Sequence, residues 1–263
     1  MTRQLQAIVQ ETMWSTRKAA GTCAYLGVDI TDRYSKAPRP MDVCGIEISG
    51  GLLVPHFWTW SWGRSDSIDV SALLPEVAAA KVIMLDGPQA LARIGGGIRC
   101  CERLLAAAGK TSDARPSLSR PYGGFIASSL DLFGALHAAG LRLDSTSSTR
   151  VYEAYPAAIW TRLARRLPNK RSRAGREARV AILKALGVAL PEKALGHDEL
   201  DACAAALLGA AADGRVPGIE VSAVGDAIFW DDAASCLREG QIMVPLVDAE
   251  IRSRLESVAP PWR

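Results

Sequence analysis

The stretch YLGVDIT, residues 25–31, is an apolar run that ends in an acid, Asp29, and then turns polar. Four to six apolar residues closed by a carboxylate read as a buried strand presenting the acid at its carboxyl end. Two further segments repeat the pattern, VIMLDGP with Asp86 and RVYEAYP with Glu153. A fourth, GHDELDACAAA, carries Asp198 and Asp201 at what reads as a helix start. Burying a carboxylate is costly unless it is paired, hydrogen-bonded or metal-bound, so the recurrence calls for a shared partner. A hard divalent cation is the simplest one.

Working outward from Asp29, residues 23–28, 43–48 and 52–58 read as three strands, with Ser49-Gly50-Gly51 as a hairpin turn between the last two. A short helix opened by Asp69 or Ser71 runs to Ala80, and residues 82–85 form a fully apolar strand. A strand reached through a helix is normally a parallel crossover. Residues 89–148 read as an insertion, with Gly95-Gly96-Gly97, helices at 98–108 and 125–139, and a Pro/Ser/Arg stretch between them. Then come a strand at 149–153, helices at 156–166, 173–186 and 198–212, a strand-like segment at 241–245 and a charged tail. The first 22 residues read as an arm that forms an amphipathic helix through Leu5, Ile8, Val9 and Met13, packed on a single domain spanning 23–263.

Composition narrows the class. At 49% hydrophobic and 22% charged, the chain matches ordinary globular proteins, which argues against wholesale disorder or a membrane-embedded fold. No apolar run approaches the roughly 18 residues of a spanning helix. The net charge of +3 permits nucleic-acid contact without demanding it. Between Arg162 and Arg179 lie eight basic residues opposed only by Glu177, a density that suits a run of phosphates or, equally, a solvated helix surface. The six cysteines show no Cys-x-x-Cys or zinc spacing, and as buried small residues they fit a reducing cytoplasm.

The order of strand meander, helix, strand, helical segment, strand and helices is that of the RNase H-like fold. The chain also resembles an uncharacterised bacterial and archaeal family, a domain of unknown function described as predicted nucleases of RNase H-like fold. The resemblance runs over residues 23–246, through GVD, LDGP, the E-x-Y-P after the fifth strand, the Lys/Arg-rich segment, HDELDA and EGQIMVP. It implies an α/β architecture, a mixed five-stranded sheet flanked by helices with a helical insertion. The first, fourth and fifth strands would lie side by side, with an acid on a later helix reaching the same edge. Asp29, Asp86, Glu153, Asp198 and Asp201 would then hold two Mg²⁺ or Mn²⁺ ions, with Asp29 bridging them. Such ions clamp the attacking and leaving oxygens of a phosphodiester. The implied activity is metal-dependent hydrolysis of DNA or RNA in the cytoplasm, with Asp29, Asp86, Glu153 and Asp201 catalytic.

Each residue also has a plainer use. Asp29 can form a turn with Asp32, Asp86 can cap Gly87-Pro88, and Glu153 can favour the start of the following helix. Asp198 is an ordinary N-cap, which leaves Asp201, three residues on and before a run of alanines, as the better ligand. The i, i+3 pair with His197 is similar to the last acidic motif of Holliday-junction resolvases. His197 would orient water or phosphate, or serve as a cap. Lys170, Arg173 and Arg176 are the substrate-binding candidates of the basic run. Trp58, Trp60 and Trp62 share one strand face and either stack bases or cover the core or a dimer surface. Two other functions compete with the nuclease: a nucleic-acid-binding or scaffold protein that has lost catalysis, and a phosphotransferase of the sugar-kinase/actin kind. The second would need a duplicated fold and a glycine-rich phosphate loop near the first strand. A homodimer would suit branched substrates.

Overall fold

The computed structural model describes residues 23–62, 68, 70, 71, 73–141 and 149–258. The amino-terminal arm and Asp69 as a cap lie outside the described residues. The chain runs β1 (Tyr25–Asp29), β2 (Met41–Ser49), β3 (Leu52–Trp60), α1 (Leu74–Ala79), β4 (Val82–Asp86), α2 (Cys100–Leu104), α3 (Gly123–Ala138) and β5 (Arg150–Ala154). It continues through α4 (Pro156–Leu163), α5 (Arg173–Ala185), α6 (His197–Ala212), β6 (Ile219–Val224), β7 (Phe229–Asp231), β8 (Cys236–Arg238), β9 (Ile242–Val247) and α7 (Ala249–Val258). No described helix is long and apolar enough to cross a membrane.

One mixed sheet of seven strands, in the order β3-β2-β1-β4-β5-β9-β6, organises the molecule. The meander β1-β2-β3 is antiparallel, closed by Gly50 and Gly51 at φ 58° and 80°, the left-handed values that a two-residue hairpin turn requires. β1, β4, β5 and β9 are mutually parallel, β4 and β5 each reached through helices, and β6 pairs antiparallel with β9. The expected five strands become seven because β9 extends the sheet beyond β5 and β6 closes its edge. β6 buries only Ile219 fully, so its sequence lacks the clean alternation that announces a strand.

Each face of the sheet carries a core. On one side lie α4, α5, α6 and α7, with Tyr25, Met84, Ala154, Trp160 and Leu200 among the packed residues. On the other lie α1 and α3, with Val28, Leu85, Leu132 and Phe133. Full burial of a leucine such as Leu132 or Leu200 stabilises by about 1.5–3 kcal/mol. Trp58 and Trp60 belong to this second core, and both indoles donate to Glu76 Oε2, at 3.1 and 3.0 Å. Trp62 is part-buried and donates to Thr31 Oγ1 at 2.8 Å. α6 lies directly against β1, β2 and β4, because its buried face is Ala202 to Ala206 and the strand beneath carries Gly27. A Cβ on Gly27 would overlap the backbone at Ala202 and Ala206. That close approach holds the first turn of α6 over the carboxyl end of β1.

Candidate metal centre

Register brings the acids together. Asp29 pairs with Asp86 across the parallel β1–β4 ladder and with Asp42 across the antiparallel β1–β2 ladder. Residues directly opposite in a sheet point to the same face, which here is the α6 face. α6 adds Asp198 and Asp201 from its first turn, one helical step apart. Asp29, Asp42 and Asp198 each offer a carboxylate oxygen, and these atoms all lie within 4.8 Å of one another. Asp29 also hydrogen-bonds the side chains of Asp86 and Asp198.

Crowding of this kind decides the protonation state. Burial, then the charges of Asp86, Asp198 and Asp201, push Asp29 well above the usual carboxylate range. Burial and Asp201 raise Asp86 to about 7, and burial with Asp198 and Glu199 raises Asp42 to about 6. Asp198 goes the other way: burial alone would raise it, but His197, Arg39 and the hydrogen bond to Asp29 hold it below its ordinary value. Arg39 Nη1 reaches it at 3.1 Å, and the His197 ring lies against it. The cluster is therefore a set of hard oxygen donors that retains protons when no cation is supplied.

Asp201 is held differently. It is 1% exposed, and it accepts from Trp160 Nε1 and from Lys170 Nζ, both at 2.6 Å. Burial would lower the Lys170 ammonium, but Asp201, Asp29 and Asp198 hold it above its ordinary range, so it stays charged. Arg179 stacks over the Trp160 ring at 5.3 Å and bonds the carbonyls of Pro168 and Gly175, while its Nε has no hydrogen-bond partner among the described residues. Trp160, Arg166, Lys170 and Arg179 line a cleft of about 350 Å³ whose acidic wall is Asp86 and Asp201.

Three expected site residues stand elsewhere. Glu153 sits one position out of phase: it is level with Leu85 on β4, so its side chain points to the opposite face from Asp86. There both its oxygens are engaged, by Arg99 Nη1 and Nη2 at 2.6 and 2.7 Å and by the Gln89 amide at 3.0 Å. Arg99 is fully buried and also grips Glu102; burial alone would lower it, and Glu153 more than reverses that, while burial outweighs Arg99 and the Gln89 amide at Glu153 and holds its carboxyl above the ordinary value. Glu153 thus braces the loop after β4 rather than joining the acid cluster. Arg173 pairs with Glu177 at 2.7 Å on the exposed face of α5, and Arg176 donates to the Arg171 carbonyl at 2.6 Å. Of the three candidates in the basic run, Lys170, in the loop before that helix, reaches the acids.

Asp42 is the acid that sequence reasoning missed. Its signal was the Met41-Asp42-Val43 start of β2, two strand positions earlier than an apolar run suggests. The triglycine is a turn before α2, tied by Gly95 donating to Asp113 at 2.8 Å and Gly96 to the Arg93 carbonyl at 2.7 Å. The six cysteines are free thiols.

Residues 56–221, from β3 into β6, match the model of a family described as a protein of unknown function, DUF429. Asp86, Lys170, Asp198 and Asp201 fall inside the match; Asp29 and Asp42 precede it. No curated protein and no solved structure matches the chain.

Proposed function

The chain belongs to the DUF429 family of unknown function, and we propose that it is a divalent-metal-dependent nuclease of RNase H-like fold. One observation carries the reading: Asp29, Asp42, Asp86 and Asp198 converge on one sheet edge, with the Lys170–Asp201 pair and a cationic cleft beside them. The strand order β3-β2-β1-β4-β5, with β2 antiparallel, supports the fold assignment.

The donor set fits a hard cation. All four groups are carboxylates, no thiol or second imidazole stands among them, and their mutual repulsion is what a divalent ion would relieve. Asp29, Asp42, Asp86 and Asp198 would hold it; Asp201 is committed to Lys170 and Trp160. Bound Mg²⁺ or Mn²⁺ supplies an acidified water and charge stabilisation at the departing oxygen. The chain's own groups do the rest. Lys170 and Arg166 place positive charge where phosphate oxygens enter the cleft, and Arg179 braces the Trp160 ring that positions Asp201. Arg39 and His197 keep Asp198 ionised and ready to ligate.

The test is purified protein with Mg²⁺ or Mn²⁺ on single-stranded, duplex, hybrid and branched nucleic acids. Cleavage is expected, and Asp29→Asn and Asp86→Asn should each lower it at least a hundredfold. Undiminished cleavage by both variants sinks the site assignment. Salt-sensitive binding with no cleavage, and no rise of melting temperature with metal, would favour a binding protein that has lost catalysis.

A further inference from the structure

Asp86 stands between two cavities of opposite character. One is the cationic cleft already described. The other, of about 170 Å³, lies across Gly87-Pro88 and is walled by Pro88, Ala107, Ala108, Tyr122, Phe125 and Tyr155. Asp86 and Tyr155 line both. The second cavity is mostly apolar, and a dry cavity of about 150 Å³ is known to admit a benzene ring, so this one takes a single flat ring system rather than a stacked pair. Its buried polar wall is Glu102 and Glu153, held by Arg99 at 2.8 and 2.6 Å. Glu102 Oε2 accepts one described hydrogen bond, from the Thr111 amide at 2.7 Å, and Glu153 Oε1 one, from Arg99. A carboxylate oxygen offers two lone pairs, so each retains acceptor capacity.

We infer that this recess receives one unstacked nucleobase of a single-stranded segment while its phosphates lie in the cationic cleft. The inference rests on the nuclease reading and names its substrate class. A nucleotide is a flat, largely apolar ring joined to an anion, and here an aromatic recess adjoins a Lys/Arg cleft through one shared carboxylate. Aromatic and apolar walls bind a base by stacking, and carboxylate oxygens accept from its amino or imino edge. Duplex DNA would have to surrender a paired base to enter; a single strand would not.

The probe is a fluorescently labelled single-stranded 12-mer, compared with a strand of equal length and charge built only of abasic sugar-phosphate units. Both are titrated against the full chain in EDTA at low ionic strength and pH 6, where no cleavage interferes. The base-bearing strand is expected to bind about tenfold tighter. Ala108→Trp, which puts an indole at the exposed rim, and Tyr122→Ala, which removes a wall that is 56% exposed, should each shrink that ratio to about twofold and leave abasic binding unchanged. Equal binding of the two strands by the unaltered protein overturns the inference, and so does a tenfold ratio that both variants preserve. The nuclease reading is judged separately, by Mn²⁺-dependent cleavage of the base-bearing strand: cleavage with no base preference in binding removes the recess alone, and base preference without cleavage removes the catalysis alone.

Discussion

Replacing Asp29 with asparagine removes the carboxylate that Asp42, Asp86 and Asp198 all crowd. Without metal that carboxylate is a burden, since burial and like charges oppose its ionisation. We therefore expect Asp29→Asn in EDTA at pH 8 to be more stable than the unaltered protein and to melt at a higher temperature. Calorimetry with and without Mn²⁺ checks this: the unaltered protein should gain stability from the metal and the variant should not. Lys170→Met has the opposite sign. Among the described residues it leaves the buried Asp201 carboxylate with the Trp160 indole alone, and it should cost about 2 kcal/mol in urea unfolding, below the roughly 3–5 typical of fully buried pairs because Lys170 is 42% exposed. At this scale the sequence announced Asp29 and Asp86 by their apolar approaches and Asp198 and Asp201 by a helix start; it offered Asp201 as the better ligand of the last two, whereas Trp160 and Lys170 hold that carboxylate. It misplaced Glu153, because the side of a strand on which a residue falls depends on register with its neighbour, and RVYEAYP offers an acid of the right type in the wrong phase.

Among the elements, α6 and β1 carry the site. Their packing depends on Gly27, where a methyl group would meet backbone atoms rather than a yielding side chain. Overpacking of flexible side chains costs about 1–3 kcal/mol, so a clash with backbone should exceed it. Gly27→Ala is expected to lose at least 3 kcal/mol in urea denaturation and to abolish metal-induced stabilisation, because displacing α6 carries Asp198 away from Asp29. Ala206→Gly, a buried change on the same helix face, should cost only about 1 kcal/mol of helix propensity and keep the metal response. Strands of continuous apolar residues and helices ended by glycine were readable. β7 and β8 were not, being three residues each, nor was α7, which buries only Ile251 and Leu255 and so reads as a charged tail.

For the whole molecule, the convergence of Asp29 and Asp86 is a property of strand order, which no local pattern encodes, and the pairing of β1 with β4 produces it; Asp201 joins them through the packing of α6 on β1. The same convergence gives the protein a pH-dependent stability. An ordinary aspartate titrates near 3.8, whereas Asp29 lies well above that, Asp86 at about 7 and Asp42 at about 6. Between those limits the folded chain holds more protons than the unfolded one, so stability falls as pH rises, by up to about 1.4 kcal/mol per pH unit for each excess proton. Asp86 and Asp42 are partly exposed, which makes their share smaller. The contribution is complete below the unfolded value and is lost through pH 7. Asp198, Asp213 and Asp231, all held below their ordinary range, act in the opposite sense only near and below pH 4, and leave the window from 5 to 8 to the raised group. In EDTA the melting temperature should therefore decline from pH 5 to pH 8, less steeply in Asp86→Asn. Mn²⁺ competes with those protons, so its stabilisation should grow with pH across the same window and level the decline. A melting profile in EDTA that is flat or rising from pH 5 to 8 would show that the carboxylates do not share one edge of the sheet.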